Sequence, residues 1–153
     1  MNTKGSVEID RPIEHVFHLT NKNVTDWSTI VLEEHIINET EDVIGTTMRT
    51  VTEDHGRRME FEGIVTEYDC PHATSIELTG ESFDLKVDYT FDDLDGRTRV
   101  TQHSFVSPKG WMMKIMFFVM GWLMKSANCK ALNKELQSLK SFCESREVMD
   151  GCG

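Results

Sequence analysis

Three consecutive residues, Glu33, Glu34 and His35, carry the side chains best suited to moving a proton. They lie inside an apolar, β-branched run, Ile30-Val-Leu-Glu-Glu-His-Ile-Ile37. Side chains alternate along a strand, so one face would hold Ile30, Leu32, Glu34 and Ile36, and the other Val31, Glu33, His35 and Ile37. Either face sets a carboxylate among apolar neighbours. A desolvated carboxyl keeps its proton to higher pH and can serve as a general acid or base. The chemistry would be proton transfer on a carbonyl compound, as in aldol-type ring closure or dehydration. A glutamate in solvent near a strand end is the plainer reading. These three residues are the catalytic candidates.

His15 and His18 stand three apart beside Glu14. A catalytic zinc site takes three protein ligands, and no third is fixed by local spacing. Both histidines therefore read as surface residues beside an apolar stripe, and no metal is expected. Cys70, Cys129, Cys143 and Cys152 match neither Cys-x-x-Cys nor a Cys/His zinc pattern. They read as free thiols of a cytosolic protein. The chain has no phosphate loop, nucleophile elbow or dinucleotide fingerprint, so no cofactor is expected, and hydrolytic or redox chemistry has no support.

The elements that must position these groups follow from periodicity. Gly5 to Asp10 alternates Val7 and Ile9 with polar residues and reads as a strand. Pro12 opens a short helix whose Ile13, Val16 and Phe17 share one face. A second short helix holds Val24 and Trp27. Six strand segments follow, over Thr29–Asn38, Thr46–Asp54, Arg58–Tyr68, Ala73–Leu78, Phe83–Phe91 and Arg97–Val106. Turn signals at 39–42, His55-Gly56, Cys70-Pro71, Thr79-Gly80 and 92–96 separate them. The cleanest alternation is Phe83, Leu85, Val87, Tyr89 and Phe91 against Asp84, Lys86, Asp88 and Thr90. On the last strand Val100, Gln102 and Ser104 share one face and Arg99, Thr101, His103 and Phe105 the other; alternation leaves the inward set open, and Val100 with Gln102 is favoured. Pro108-Lys-Gly110 ends the sheet, and a helix is expected from Trp111 to about Ser145. Cys129, Leu132, Leu136, Leu139 and Cys143 form its sheet-facing stripe. Such an order gives an antiparallel meander that needs one long helix across its concave face.

Length and charge bound the classes. The 153 residues suit one domain, taken as 1–146, with a short flexible tail at 147–153 and fraying from Glu144. Apolar residues are 39% and charged residues 27%, which argues against disorder. The net charge of −10 argues against a nucleic-acid partner. Residues 1–108 hold 9 Lys/Arg against 22 Asp/Glu, whereas 109–153 hold 7 against 4. Met1 to Asp10 lacks the apolar run of a secretory signal, so a cytoplasmic location is expected.

The chain resembles the START/Bet v 1-like (SRPBCC) superfamily, in its polyketide cyclase/dehydrase-like branch. Ser6-Val-Glu-Ile-Asp-Arg-Pro-Ile-Glu-His-Val-Phe17 is similar to the family's opening strand and helix. Asn23-Val-Thr-Asp-Trp27, Gly45-Thr46, Gly96-Arg-Thr-Arg-Val-Thr101 and Leu136-Gln-Ser-Leu-Lys140 resemble its later segments. The resemblance implies an α+β helix-grip fold: a curved seven-stranded antiparallel sheet, ordered β-α-α-β6-α, wrapped around a long C-terminal helix. It also implies a cavity between sheet and helix for lipids, polyketides or similar compounds.

The expected reading is therefore binding of a hydrophobic or amphipathic small molecule by a monomer or homodimer. Its expected walls are Trp27, Met59, Phe61, Phe83, Leu85, Val87, Tyr89, Gln102, Met116 and Met120. Tyr89 is the favoured polar anchor, because a buried phenol needs a partner. The alternatives are a cyclase/dehydratase-type enzyme using a buried Glu or His, and a lipid carrier docking on membranes through its Met-rich helix. Met112, Met113, Met116, Met120 and Met124 suit a pliable pocket wall, with Lys109, Lys114 and Lys125 beside them. A dimer surface and a membrane-resting face are the other readings of that stretch.

Overall fold

A computed structural model describes residues 2–146. Strand β1 (Asn2–Ile9) leads into helices α1 (Ile13–Lys22) and α2 (Val24–Trp27). Strands β2 (Val31–Asn38), β3 (Thr47–Asp54), β4 (Arg57–Asp69), β5 (Ala73–Thr79), β6 (Phe83–Asp93) and β7 (Thr98–Pro108) follow. Helix α3 (Trp111–Ser145) closes the chain's described part. The seven strands form one antiparallel sheet in the order β1-β7-β6-β5-β4-β3-β2. The fold is α+β, a curved sheet with a long C-terminal helix.

Local chemistry accounts for the order. Each of β2 to β7 is short-linked to the next, so neighbours in sequence become neighbours in the sheet. His55 and Gly56 both take positive φ, 52° and 77°, the twist-matched hairpin turn between β3 and β4. β1 then pairs with the last strand, Val7 opposite Val100, and the meander is closed at that edge. The second half of α3 buries Leu132, Leu136, Leu139 and Cys143 and packs against β1. A side chain at Gly5 would bring its Cβ within 3.1 Å of Leu132, so the bare backbone there lets helix and strand come close. Phe17 of α1 joins this core edge-on, its ring 5.0 Å from Phe91 and 5.3 Å from Tyr68.

Several expectations are corrected. His15 is not a surface residue. It is fully buried, and its ring Nε2–H donates to the Cys143 carbonyl at 3.0 Å, tying α1 to the end of α3. Cys129 and Cys143 are free thiols, but Cys70 is disulfide-bonded, and Cys129, expected on the sheet-facing stripe of the long helix, is exposed. Cys152 and the tail expected at 147–153 lie outside the described residues. Glu144 is not frayed: its carboxylate accepts from the Asp10 backbone N–H at 2.9 Å and from Lys140 at 2.6 Å. Those contacts and the Arg11 and Lys140 charges hold its carboxyl below the ordinary value.

Candidate functional site

The concave side of the sheet holds a cavity of about 250 Å³. Trp27 of α2 forms one wall, its indole Nε1–H donating to the Thr20 carbonyl at 3.2 Å. Met48, Val65, Ile76 and Val87 supply apolar floor from β3, β4, β5 and β6. The strand period puts every second residue of these strands on that floor. Polar groups interrupt it, among them Glu34, Thr50, Thr74 and Tyr89.

Their placement follows from register. Glu34 of β2 is paired with Thr50 of β3, and Thr74 of β5 with Tyr89 of β6. Thr50 and Thr74 are 3% and 2% exposed, and neither hydroxyl has a hydrogen-bond partner. A buried unpaired hydroxyl is costly in a folded chain. Here both line a cavity that can hold a partner. Burial raises the Glu34 carboxyl above its ordinary value. Burial also raises the Tyr89 phenol, with the Glu135 and Glu34 carboxylates adding to the effect. Neutral forms of both groups are favoured.

Among the three catalytic candidates, Glu34 alone lines the cavity. Glu33 is exposed on the other face and meets Arg58 at 3.3 Å, and His35 is exposed. A bulge between Val31 and Glu33 puts Val31 and Glu34 on one side, which strict alternation would not do. Both sets written from the sequence therefore mix the two faces.

Among the expected walls, Trp27, Val87 and Tyr89 line this cavity. Met59, Phe61 and Phe83 line a separate groove with Arg58 and Glu81, and the Phe61 and Phe83 rings sit 5.7 Å apart. Leu85 borders a third recess with Lys86 and Phe105. Gln102 is inward and paired with Tyr89, its Oε1 buried without a partner, but it does not line the cavity. Met116 and Met120 are 45% and 44% exposed. Among the described residues, none of α3 lines the cavity. α3 packs mainly on β1, and α1, α2 and β2 supply the lining beside the floor.

One residue outside the expected set positions the site. Glu135 of α3 is buried, and its carboxylate accepts from the Thr29 N–H at 2.8 Å and from the Ser28 and Thr29 hydroxyls. Ser138 donates to the Trp27 carbonyl. Together they fasten the α2–β2 link, and with it the Trp27 wall, to α3. The signal was a carboxylate at 135 within the 132, 136, 139 apolar stripe. Among the described residues no three His, Cys, Asp or Glu cluster as a metal site would require.

A family model described as polyketide cyclase / dehydrase and lipid transport matches residues 2–144. No curated protein matches the chain. Among solved structures, a START superfamily protein from Mycobacterium smegmatis is 16% identical, with a TM-score of 0.79, over 94% of this chain and 97% of that one. A Thermus thermophilus protein is 15% identical, TM-score 0.78, over 95% and 98% of the two chains. The Zhui aromatase/cyclase of a Streptomyces strain is 11% identical, TM-score 0.75, over 95% and 94%. At such identities the likeness is one of fold: these neighbours share the START-like helix-grip architecture. On the family match over nearly its whole length, the chain belongs to the polyketide cyclase/dehydrase and lipid-transport family.

Proposed function

We propose that the chain binds an apolar or amphipathic small molecule with a neutral, hydrogen-bonding polar group. The observation that carries this reading is the pair of buried, unpartnered hydroxyls, Thr50 and Thr74, on the wall of a mainly apolar cavity. Ligand sites are commonly of this kind, apolar with a few placed polar groups. A hydroxyl or carbonyl of the ligand would satisfy the two threonines. An anionic head is disfavoured by Glu34, which would be forced to stay protonated beside it. Lys22 and Glu39, both exposed, offset one another where they border the cavity. Native mass spectrometry of protein purified from its host, followed by organic extraction, tests the reading. A retained neutral amphiphile or aromatic is expected. An empty protein that takes up nothing from an apolar compound library would overturn it.

Glu34 and Tyr89 favour a second reading, an acid/base enzyme of the dehydratase or cyclase kind. Glu34 held protonated could give its proton to a departing hydroxyl, and its carboxylate could take one from carbon next to a carbonyl. Turnover that follows the Glu34 titration and is lost in Glu34→Gln would support that reading. Turnover unaffected by the substitution would remove it.

A further inference from the structure

The first half of α3 has two apolar sides, and only one is covered. Met113, Phe117 and Gly121, spaced by four, are half-buried, and the Phe117 ring meets Phe83 edge-on at 6.0 Å. On the opposite side Trp111, Ile115, Phe118 and Val119 fall at i, i+4, i+7 and i+8, with exposures of 72%, 55%, 86% and 58%. An outward helix face on a water-soluble domain is ordinarily polar. Large contiguous apolar patches mark places where something docks.

Charge selects the occupant. Residues 109–134 contain five lysines and no Asp or Glu, in a chain of net charge −10. A second copy meeting this helix face to face would bring lysines against lysines. Contact of the helix with the acidic body of a second copy would be head-to-tail, an arrangement that does not close by two-fold symmetry. An anionic lipid surface suits both properties, since it attracts the lysines and takes up the apolar side chains. The same surface repels the acidic body, so only this helix would face it. Among the described residues no helix is long and apolar enough to cross a membrane, so the helix would lie along the surface.

We propose that the outer face of α3 formed by Trp111, Ile115, Phe118 and Val119, with Lys114 and Lys125 beside it, docks on anionic membrane surfaces. This inference is independent of what the cavity holds.

The test is co-sedimentation of the full chain with vesicles of phosphatidylcholine alone or with added phosphatidylserine, beside sedimentation velocity without lipid. Binding to the phosphatidylserine vesicles is expected, weakening as salt rises, with little binding to phosphatidylcholine alone. Ile115→Ser combined with Phe118→Ser should weaken it about tenfold or more, and Lys114→Glu with Lys125→Glu should do the same. Circular dichroism of both double variants should match the parent, because none of the four side chains is buried. Absence of binding to phosphatidylserine vesicles, or equal binding by the serine variant, would overturn the proposal. A parent dimer that the serine variant converts to monomer would overturn it too, assigning the face to a second copy.

Discussion

Glu34 and Thr50 face each other across β2 and β3, and both line the cavity. One is a carboxyl that burial keeps protonated above its ordinary range, and the other a hydroxyl with no partner. The pair is unfavourable for the empty protein and suited to a guest with its own polar group.

The Glu34 shift makes a pH prediction. Its folded-state value lies above the ordinary 4.5, so folding favours the protonated form. That contribution is fully present below the unfolded value and is lost as pH rises through the folded one. Glu34→Gln should therefore melt at higher temperature than the parent at about pH 8, and the gain should vanish near pH 4. Thermal melts across that range check it.

Thr50→Val and Thr74→Val each replace an unpaired buried hydroxyl by a methyl group of similar size. Each should leave the empty protein as stable or more stable, by up to about 1 kcal/mol in denaturant titration. The same changes should weaken a hydroxyl- or carbonyl-bearing ligand about tenfold while leaving a plain hydrocarbon unaffected. Stability and binding would then move in opposite directions.

Glu135→Ala removes the acceptor of three hydrogen bonds and leaves the Ser28 and Thr29 donors unpaired. A loss of roughly 2–3 kcal/mol is expected. Ligand affinity should fall with it, because the Trp27 wall is no longer fastened to α3. Denaturant titration and a ligand titration on the same variant check the two effects.

The two free thiols should separate by reactivity. Cys129 is exposed. Cys143 is wholly buried, and burial, with the Glu144 charge adding to it, pushes its thiol up to about 12. Alkylation of the native protein at about pH 8 should label Cys129 and spare Cys143, since the thiolate is the reactive form. Peptide mass mapping reads the outcome.

The fold and part of the site were legible in the sequence for physical reasons. β6 alternates without a break, whereas on β7 alternation left the inward face open, and Val100 and Gln102 are the buried pair. β2 was not legible, because its bulge breaks the period between Val31 and Glu33. Thr50 and Thr74 carried no signal, since threonine is at home on either side of a strand. The methionines of α3 misled for a different reason. Periodicity reports which residues are apolar, and says nothing of what covers them. His15 looked like half of a surface pair, yet the end of α3 supplies a carbonyl that lets its ring be buried.

The proposed binding rests on an accessible, mainly apolar cavity with polar points on its wall. Titration of the parent and of Val87→Trp with 1-decanol, followed by calorimetry, tests it most directly. The parent should take up a single saturating equivalent. Val87→Trp, which puts an indole into the floor, should bind about tenfold more weakly or not at all while keeping the parent's circular dichroism. No saturable uptake by the parent, or unchanged affinity in Val87→Trp, would contradict the account.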